Sequence, residues 1–147
     1  MQLQKIFKNL DKKYLNHSFS KIEFNSNNCE KNDIFFAIRG TKINGNRFIN
    51  NAIKNGAKTI VSDLKFQGYK EDILFLKSKN PRRTLAEAST FFYNKKPKNL
   101  IAVTGTNGKT SVSNFFLQIM LLNNKKAAAI GTLGVNQKKI DYNLSNT

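Results

Sequence analysis

One Gly-rich stretch, residues 104–110 (TGTNGKT), restricts the fold of this 147-residue chain more than any other segment. An apolar run precedes it at residues 100–103 (LIAV), and a helix-like run follows at residues 111–122. A strand, a Gly-rich turn and a helix in this order form the context that a phosphate-binding loop requires. Glycines let backbone N–H groups converge on an anion, and the helix N-terminus adds partial positive charge. The sequence therefore predicts a site for nucleotide phosphates here.

Each residue of this loop has an expected role. Lys109 is placed to reach the β- and γ-phosphates of a nucleotide, and the Thr110 hydroxyl is placed to bind Mg²⁺. These two residues are the catalytic candidates, and Thr110 is also the candidate metal ligand. The predicted nucleotide-phosphate-binding residues are Gly105, Thr106, Asn107, Gly108, Lys109, Thr110 and Ser111.

The loop departs from the general phosphate-loop pattern at one position. The pattern GxxxxGK[ST] has its first glycine where this chain has Val103, and the glycine here is Gly105 instead. The alternative interpretation of such a turn is an ordinary connection between a strand and a helix. Lys and Thr in register between the two elements favour phosphate binding.

The net charge of +16 raises the possibility of a nucleic-acid partner. Only four of the 25 basic residues are arginines, so the charge consists mostly of strongly hydrated lysines. The lysines are spread along the whole chain rather than gathered in one stripe. A binding module for nucleotides or nucleic acids stays as an alternative, but no nucleic-acid partner is expected.

Targeting signals and cysteine chemistry are also restricted by the sequence. No apolar run approaches the roughly 18 residues of a membrane-spanning helix, and the N-terminus lacks a signal-peptide core. We therefore expect a cytoplasmic protein that does not enter a membrane. Cys29 is the single cysteine and His17 the single histidine, which argues against a disulfide framework, a Cys-rich metal site and a catalytic cysteine.

The apolar pattern predicts an α/β fold that begins with a small α/β unit over residues 1–78. An amphipathic helix is expected over residues 1–16, and a second helix is expected to bury Phe48, Ile49, Ala52 and Ile53 and to end at Asn55. The predicted strands are residues 21–24, 33–38, 59–61 and 73–76.

A helix after Pro81 and a linker at residues 94–98 are expected to connect this unit to a second domain over residues 99–147. That domain is predicted to open with a parallel βαβ unit over residues 100–130, followed by a hairpin turn at residues 136–138. The helix of this unit is expected to turn inward Val112, Phe115, Phe116, Ile119 and Leu122. Because one βαβ unit cannot cover both faces of a parallel sheet, we expect the chain to be the front part of a longer enzyme.

The motif TGTNGKT resembles the signature of the Mur ligases, the ATP-dependent amide-forming enzymes of peptidoglycan precursor synthesis. Residues 32–40 and 44–49 (NDIFFAIRG and NGNRFI) resemble the uridine-binding region of this family, and residues 80–97 resemble its interdomain helix. Residues 130–134 (IGTLG) resemble the segment after the second strand in the MurE branch. The resemblance covers nearly the whole chain and favours that branch, with the MurF branch as the alternative.

The resemblance implies an N-terminal domain for the UDP-substrate at residues 1–78, an interdomain helix and linker at 79–98, and the incomplete start of a central ATP-binding domain at 99–147. It also implies ATP, Mg²⁺, a UDP-MurNAc-dipeptide and an amino acid as ligands. By position, the substrate-binding residues are Ser26 at the uracil, Thr41, Lys42 and Ile43 in the uracil pocket, and Asn146 and Thr147 near the substrate phosphates. The family's Asp-Ser-Arg is Asn25-Ser26-Asn27 here, so the flanking charges are lost.

The reaction implied by the resemblance adds the third amino acid to the dipeptide. ATP phosphorylates the substrate carboxylate, and the incoming amine displaces phosphate from the acyl phosphate. Asp141 is the only carboxylate in residues 111–147, and the family's further Mg²⁺ ligands and C-terminal domain lie beyond this stretch. We therefore expect no ligase activity from this chain alone.

Overall fold

A computed structural model describes residues 3–7, 10–14, 16–93 and 95–137 of the chain. They belong to two compact units, Met1–Lys96 and Pro97–Thr147. The first unit is a mixed α/β domain with a mainly parallel sheet, which confirms the predicted α/β class. No helix in the described ranges is long and apolar enough to cross a membrane.

The sheet of the first unit has five strands in the order β1-β2-β3-β5-β4. The first four of these in sheet order run parallel, and β4 pairs antiparallel with β5. Four strands lie where the apolar runs predicted them, whereas β4 was not predicted. The strands are β1 (Ile22–Glu23), β2 (Ile34–Phe36), β3 (Thr59–Ser62), β4 (Gly68–Lys70) and β5 (Ile73–Lys77).

Both faces of this sheet are covered, because alternate side chains of a strand point to opposite faces. Ile34 and Phe36 of β2 join a core cluster with α2 (Pro81–Phe92), whereas Phe35 joins the opposite cluster with α1 (Ile49–Lys54). The continuous apolar run of β2 therefore reflects a strand that is buried on both sides.

The two helices of the first unit bury part of their predicted apolar faces. The burial predicted for Phe48 was wrong, because Phe48 ends the 3₁₀ turn before α1 and is 42% exposed. Ile49 and Ala52 of α1 are buried, and Ala88 of α2 is buried in the other cluster. Asn80 caps α2, since its side chain accepts a hydrogen bond from the backbone N–H of Arg83 at 3.0 Å. The helix after Pro81 thus packs as part of the first unit.

The helix predicted over residues 1–16 was wrong. The described residues of this segment contain two short 3₁₀ turns, Leu3–Lys5 and Lys12–Tyr14. The apolar residues still reach the core, because Leu3, Ile6 and Tyr14 are buried. Tertiary packing against the sheet has therefore replaced the helical conformation that the spacing favoured, since most helical stability comes from packing rather than propensity.

His17 connects this N-terminal segment to the sheet. Its Nε2 lies 2.9 Å from Thr59 Oγ1 and its Nδ1 lies 3.1 Å from Tyr69 Oη. Partial burial lowers the pKa of His17 below its ordinary value of 6.5. The native state therefore favours the neutral imidazole, and the unfolded state takes up the proton first as pH falls.

We expect the free energy of unfolding to fall between about pH 7.5 and about pH 5 through His17, because protonation favours the unfolded chain below a pH of about 6.5. Urea unfolding followed by circular dichroism at both pH values measures the change. The variant His17→Gln keeps a hydrogen-bonding side chain without the titration, so its loss of stability over the same range should be smaller. An equal loss in both proteins would contradict the assignment to His17.

The second unit contains α3 (Lys109–Leu122) and an antiparallel hairpin of β6 (Ala128–Gly131) and β7 (Gly134–Gln137). The predicted helix and second strand are present, but residues 100–103 form no strand and β6 pairs only with β7 among the described residues. The parallel βαβ pairing is therefore not formed. The hairpin turn lies at residues 132–133, so the turn predicted at 136–138 was wrong, and residue 138 lies outside the described residues.

The predicted inward face of α3 was also wrong. Leu117 is its buried residue, and α3 contacts β6. A two-stranded hairpin offers only a narrow surface, so most apolar residues of α3 stay accessible. The predicted core residues are exposed by 52% at Val112, 62% at Phe115, 38% at Phe116, 54% at Ile119 and 81% at Leu122.

Candidate functional site

The Gly-rich loop turns sharply at two glycines before α3 begins. Gly105 has a φ of 150° and Gly108, the N-cap residue of α3, has a φ of 77° in the left-handed region. A Cβ at Gly108 would meet no atom within 4 Å, so the backbone angle and not space requires glycine there. The two glycines give the loop the sharp turn that the sequence predicted.

The side chain of Lys109 folds back onto this loop, where its ammonium group contacts two backbone carbonyls. Its Nζ donates to the carbonyl oxygens of Gly105 at 2.5 Å and Thr106 at 3.0 Å. Residues 101–112 are exposed, so the ammonium lies in contact with solvent. An ammonium that bonds only to neutral carbonyls can exchange them for charged phosphate oxygens, to which its hydrogen bonds are stronger.

The first turn of α3 is open at its N-terminal end. Gly108 has no side chain to cap the helix, and the Ser113 hydroxyl donates to the Lys109 carbonyl at 2.5 Å instead of reaching back to the turn. The first backbone N–H groups of a helix have no partner within it, and the helix dipole makes this end partly positive. This end of α3 can therefore accept an anion.

Thr110 and Ser111 lie exposed in this first turn. Residues 3–7, 10–14, 16–93 and 95–137 contain no group of three or more His, Cys, Asp and Glu side chains that could hold a metal ion. The role of Thr110 as a magnesium ligand stays a prediction. Asn146 and Thr147, the other predicted phosphate contacts, lie outside the described residues.

A second polar region follows the carboxyl ends of the parallel strands of the first unit. Since β1, β2 and β3 run parallel, the loops after them lie at the same edge of the sheet. Ser26 follows β1, and residues 41–43 follow β2. The structure thus places the predicted uracil-binding residues of the first unit at one edge, in two separate loops.

The loop after β2 is closed by backbone bonds. Arg39 and Asn44 form a bridge, and the Gly40 N–H donates to the Ile43 carbonyl at 2.9 Å. Thr41, Lys42 and Ile43 at its tip are all exposed, with 53% of Ile43 accessible. A rigid base therefore presents an accessible tip, which suits contact with a ligand.

Asp63 lies at the same edge of the sheet, and the sequence analysis did not identify it as a site residue. Its carboxylate accepts a hydrogen bond from Asn46 Nδ2 at 2.6 Å, and its Oδ2 lies 3.4 Å from Arg39 Nη2. Asp63 directly follows β3, so its position after a buried strand at the carboxyl edge was the available signal. It joins the loop after β2 to the loop after β3.

The loop after β1 is a 3₁₀ turn, Ser26–Asn28, packed against α1. Ser26 is 6% exposed, and it accepts hydrogen bonds from Asn51 and Asn55, which the sequence did not identify as site residues. Asn51 and Asn55 are four residues apart on one helix, and this spacing was the sequence signal that the two side chains share a face. Cys29 ends the turn, and burial raises its pKa to about 11, so its thiol stays protonated near neutral pH.

A cleft of the first unit lies elsewhere. It measures about 500 Å³ and lies between the N-terminal segment, β5 and α2. None of the predicted site residues lines it. Its lining residues are Ile6, Phe7, Leu10, Gln67, Leu76, Lys77, Thr84, Glu87 and Phe91.

The fold and these loops define a class: an α/β protein with a mainly parallel sheet, polar loops at the carboxyl edge of that sheet, and a Gly-rich turn at a helix N-terminus. The family model "Mur ligase family, catalytic domain" matches residues 18–93, just over half of the chain. The chain belongs to the Mur ligase family. The matched residues lie in the first unit and do not include the Gly-rich loop.

Curated relatives carry the match further along the chain. The UDP-N-acetylmuramoyl-L-alanyl-D-glutamate–2,6-diaminopimelate ligase of Rickettsia prowazekii is 41% identical over 127 residues, covering 86% of this chain and 26% of the relative. The ligase of the same name from Clostridium tetani is 42% identical over 142 residues, covering 90% of this chain and 29% of the relative. This chain thus spans between a quarter and a third of the length of these relatives.

Two solved structures show a similar fold. A structure of a ligase of the same name has a TM-score of 0.72 at 23% identity and covers 96% of this chain and 29% of that chain. The MurF ligase of Thermotoga maritima in complex with ADP has a TM-score of 0.54 at 26% identity, covering 73% of this chain and 24% of that chain.

Proposed function

We propose that this chain supplies the uridine-nucleotide-binding part and the ATP-phosphate loop of a ligase that adds the third amino acid to a UDP-MurNAc-dipeptide. Family membership supports the ligase class. The relatives are named as ligases that use 2,6-diaminopimelate, which supports this compound as the amino acid. The cytoplasmic location predicted from the sequence is part of the same proposal.

The observation that carries the ATP part is the position of Lys109. Its ammonium donates to the carbonyls of Gly105 and Thr106 in the loop before α3, whose N-terminus has no capping side chain. The residues present fit a nucleoside triphosphate, because an exposed cation lies at the start of a helix that has no capping side chain. A family member from Thermotoga maritima was solved in complex with ADP, which agrees with a nucleotide at this loop.

Residues of this chain would bind and orient the nucleotide. Backbone N–H groups of residues 105–111 would hold the phosphates, Lys109 would neutralise charge on the transferred group, and Thr110 would offer its hydroxyl to Mg²⁺. Bound Mg²⁺ would supply further charge neutralisation. The substrate carboxylate would accept the phosphoryl group, and the amine of the amino acid would then displace phosphate to form the amide bond.

The uridine part of the proposal rests on the edge of the parallel sheet. Ser26 and the exposed loop tip at residues 41–43 both lie there, and Asp63 holds the base of that loop. Ligands of open α/β sheets bind outside the carboxyl ends of the strands. The MurF branch remains an alternative, since the chain also resembles a MurF structure in fold.

We expect the 147-residue chain to bind Mg·ATP and UDP saturably but to release no phosphate when given ATP, UDP-MurNAc-dipeptide and 2,6-diaminopimelate. The described ranges contain no group of three or more His, Cys, Asp and Glu side chains that could hold a metal ion, so this part of the chain would offer Mg²⁺ few ligands beside Thr110. Calorimetry measures binding, and a colorimetric assay measures phosphate. Phosphate release by the chain alone would contradict the expectation that the chain carries only the nucleotide-binding parts of the active site.

The same titrations test the alternative of a nucleic-acid-binding module. That alternative predicts DNA or RNA binding whose affinity falls steeply with added salt, because the net charge is +16. The ligase proposal predicts nucleotide binding that short DNA does not displace. Displacement of both ATP and UDP by DNA at moderate salt would favour the alternative.

A further inference from the structure

Two amides from α1 hold the Ser26 turn. Asn51 Nδ2 donates to Ser26 Oγ at 2.9 Å, and Asn55 Nδ2 donates to the Ser26 carbonyl oxygen at 2.8 Å. The two asparagines are four residues apart, so they lie one turn apart on the same face of α1. Both the backbone and the side chain of Ser26 are therefore fixed relative to this helix.

The direction of the bond from Asn51 determines what Ser26 can offer to a ligand. Asn51 Nδ2 also donates to Asn27 Oδ1 at 3.0 Å, so its NH₂ group faces both oxygens. A serine hydroxyl has one donor and two acceptor positions, and Asn51 occupies an acceptor position. Within the described ranges, the Ser26 O–H has no acceptor. Ser26 is therefore left as a hydrogen-bond donor.

The surroundings of Ser26 carry no charge next to it in the chain. Asn25 and Asn27 flank it, and the Asn25 side chain accepts a hydrogen bond from the Asn27 N–H at 3.0 Å. Phe24 lies just before the turn and is 51% exposed. A neutral donor near an accessible aromatic ring suits a neutral heterocycle, because a ring can stack while a carbonyl oxygen accepts the hydrogen bond.

We propose that Asn51 is a positioning residue that holds Ser26 as a donor to the O4 carbonyl oxygen of uracil, so that this edge prefers uridine over cytidine nucleotides. Uracil presents a carbonyl oxygen where cytosine presents an amino group, and an amino group is itself a donor. A fixed hydroxyl donor in the protein can therefore bond to the uracil carbonyl oxygen, whereas it has no acceptor in the cytosine amino group. The inference rests on the proposed function, which makes a uridine nucleotide the ligand of this edge.

The variant Asn51→Asp tests the inference. The new carboxylate would accept the Ser26 O–H and withdraw it from the ligand. In calorimetric titrations of the 147-residue chain with UDP and with CDP, the unmodified protein should bind UDP more tightly. The variant should bind UDP about tenfold more weakly and CDP almost unchanged, the size expected for one hydrogen bond. The preference for UDP would then be lost.

Two control variants separate this role from charge and from stability. Asn50→Asp places the same charge on the exposed neighbouring position of α1, and it should keep the preference for UDP. Ala52→Gly weakens α1 beside Asn51 without removing a hydrogen-bonding side chain, so it should lower the melting temperature and keep the preference. Ser26→Ala removes the donor itself and should make the UDP and CDP affinities equal, which provides a second test if Asn51→Asp does not fold.

The inference is wrong if Asn51→Asp or Ser26→Ala keeps the full preference for UDP over CDP. If the unmodified chain binds neither nucleotide, the uridine part of the proposed function falls together with the inference. Titration with Mg·ATP reports separately on the Gly-rich loop. If the variants bind UDP and still prefer it over CDP, the inference is wrong while the uridine part of the proposed function stands.

Discussion

Replacement of Lys109 by alanine is expected to weaken Mg·ATP binding about a hundredfold, because charge-assisted hydrogen bonds to phosphate each contribute about 1.5–3 kcal/mol. The ammonium already lies across the loop, within 2.5 Å of the Gly105 carbonyl and 3.0 Å of the Thr106 carbonyl. Removal of the side chain leaves the backbone N–H groups of the loop but no mobile cation. Calorimetric titration of the 147-residue chain measures the change.

The matched control for this prediction is Lys125→Ala, which removes a lysine just after the opposite end of α3. Both variants lower the net charge equally, so a general electrostatic attraction would weaken ATP binding equally in both. We expect the control to bind Mg·ATP like the unmodified chain and both variants to keep their circular dichroism spectra. Unchanged binding by Lys109→Ala, or an equal loss in the control, would contradict a phosphate site at this loop.

The buried strands were predictable because the sequence alone marks them. Residues 33–38 and 59–61 are apolar runs bounded by polar residues, and burial on both faces of the sheet produces that pattern. The edge strand β4 gives no such signal, since Gly68 is its only buried residue. Its pairing depends on the turn at Glu71, a non-glycine residue with a φ of 53°.

Elements whose conformation depends on a neighbour were predicted less well. The helical spacing of Leu3, Ile6 and Tyr14 correctly indicated burial, but contacts with the sheet determined the backbone conformation. In the second unit, residues 100–103 are apolar enough for a strand, yet a strand needs a partner for its backbone groups. The apolar pattern therefore predicted which residues are buried better than it predicted the backbone conformation and strand pairing of their segments.

The candidate sites also differ in whether local sequence or contacts between distant segments determine them. The Gly-rich loop could be predicted from local sequence because it consists of consecutive residues before a helix. Ser26 was found by resemblance, but its hydrogen-bond donor Asn51 lies 25 residues away in the chain. Asp63 likewise reaches Asn46 across 17 residues. Such partners are chosen by the packing of α1 and β3, which no local pattern encodes.

Gly45 should be the position in the first unit where a single added methyl group is most damaging. A Cβ there would overlap the Ile38 carbonyl oxygen and lie 2.6 Å from the Ile38 nitrogen and 2.9 Å from the Ala37 carbonyl carbon. All three are backbone atoms next to a buried strand, so they cannot move aside as a flexible side chain would. The Gly45 N–H also donates to the Ile38 carbonyl at 3.0 Å, which closes the loop that bears residues 41–43.

We therefore expect Gly45→Ala to destabilise the first unit by about 3 kcal/mol or more, which corresponds to a drop of at least about 12 °C in melting temperature. Thermal unfolding followed by circular dichroism measures the loss. Gly131→Ala is the matched control, because a Cβ at Gly131 meets no atom within 4 Å, and it should melt like the unmodified chain. If Gly45→Ala also melts unchanged, the close approach of these backbones is wrong. A loss of UDP affinity below the melting temperature, with Mg·ATP affinity kept, would assign the loop at residues 41–43 to the uridine nucleotide rather than to the Gly-rich loop's ligand.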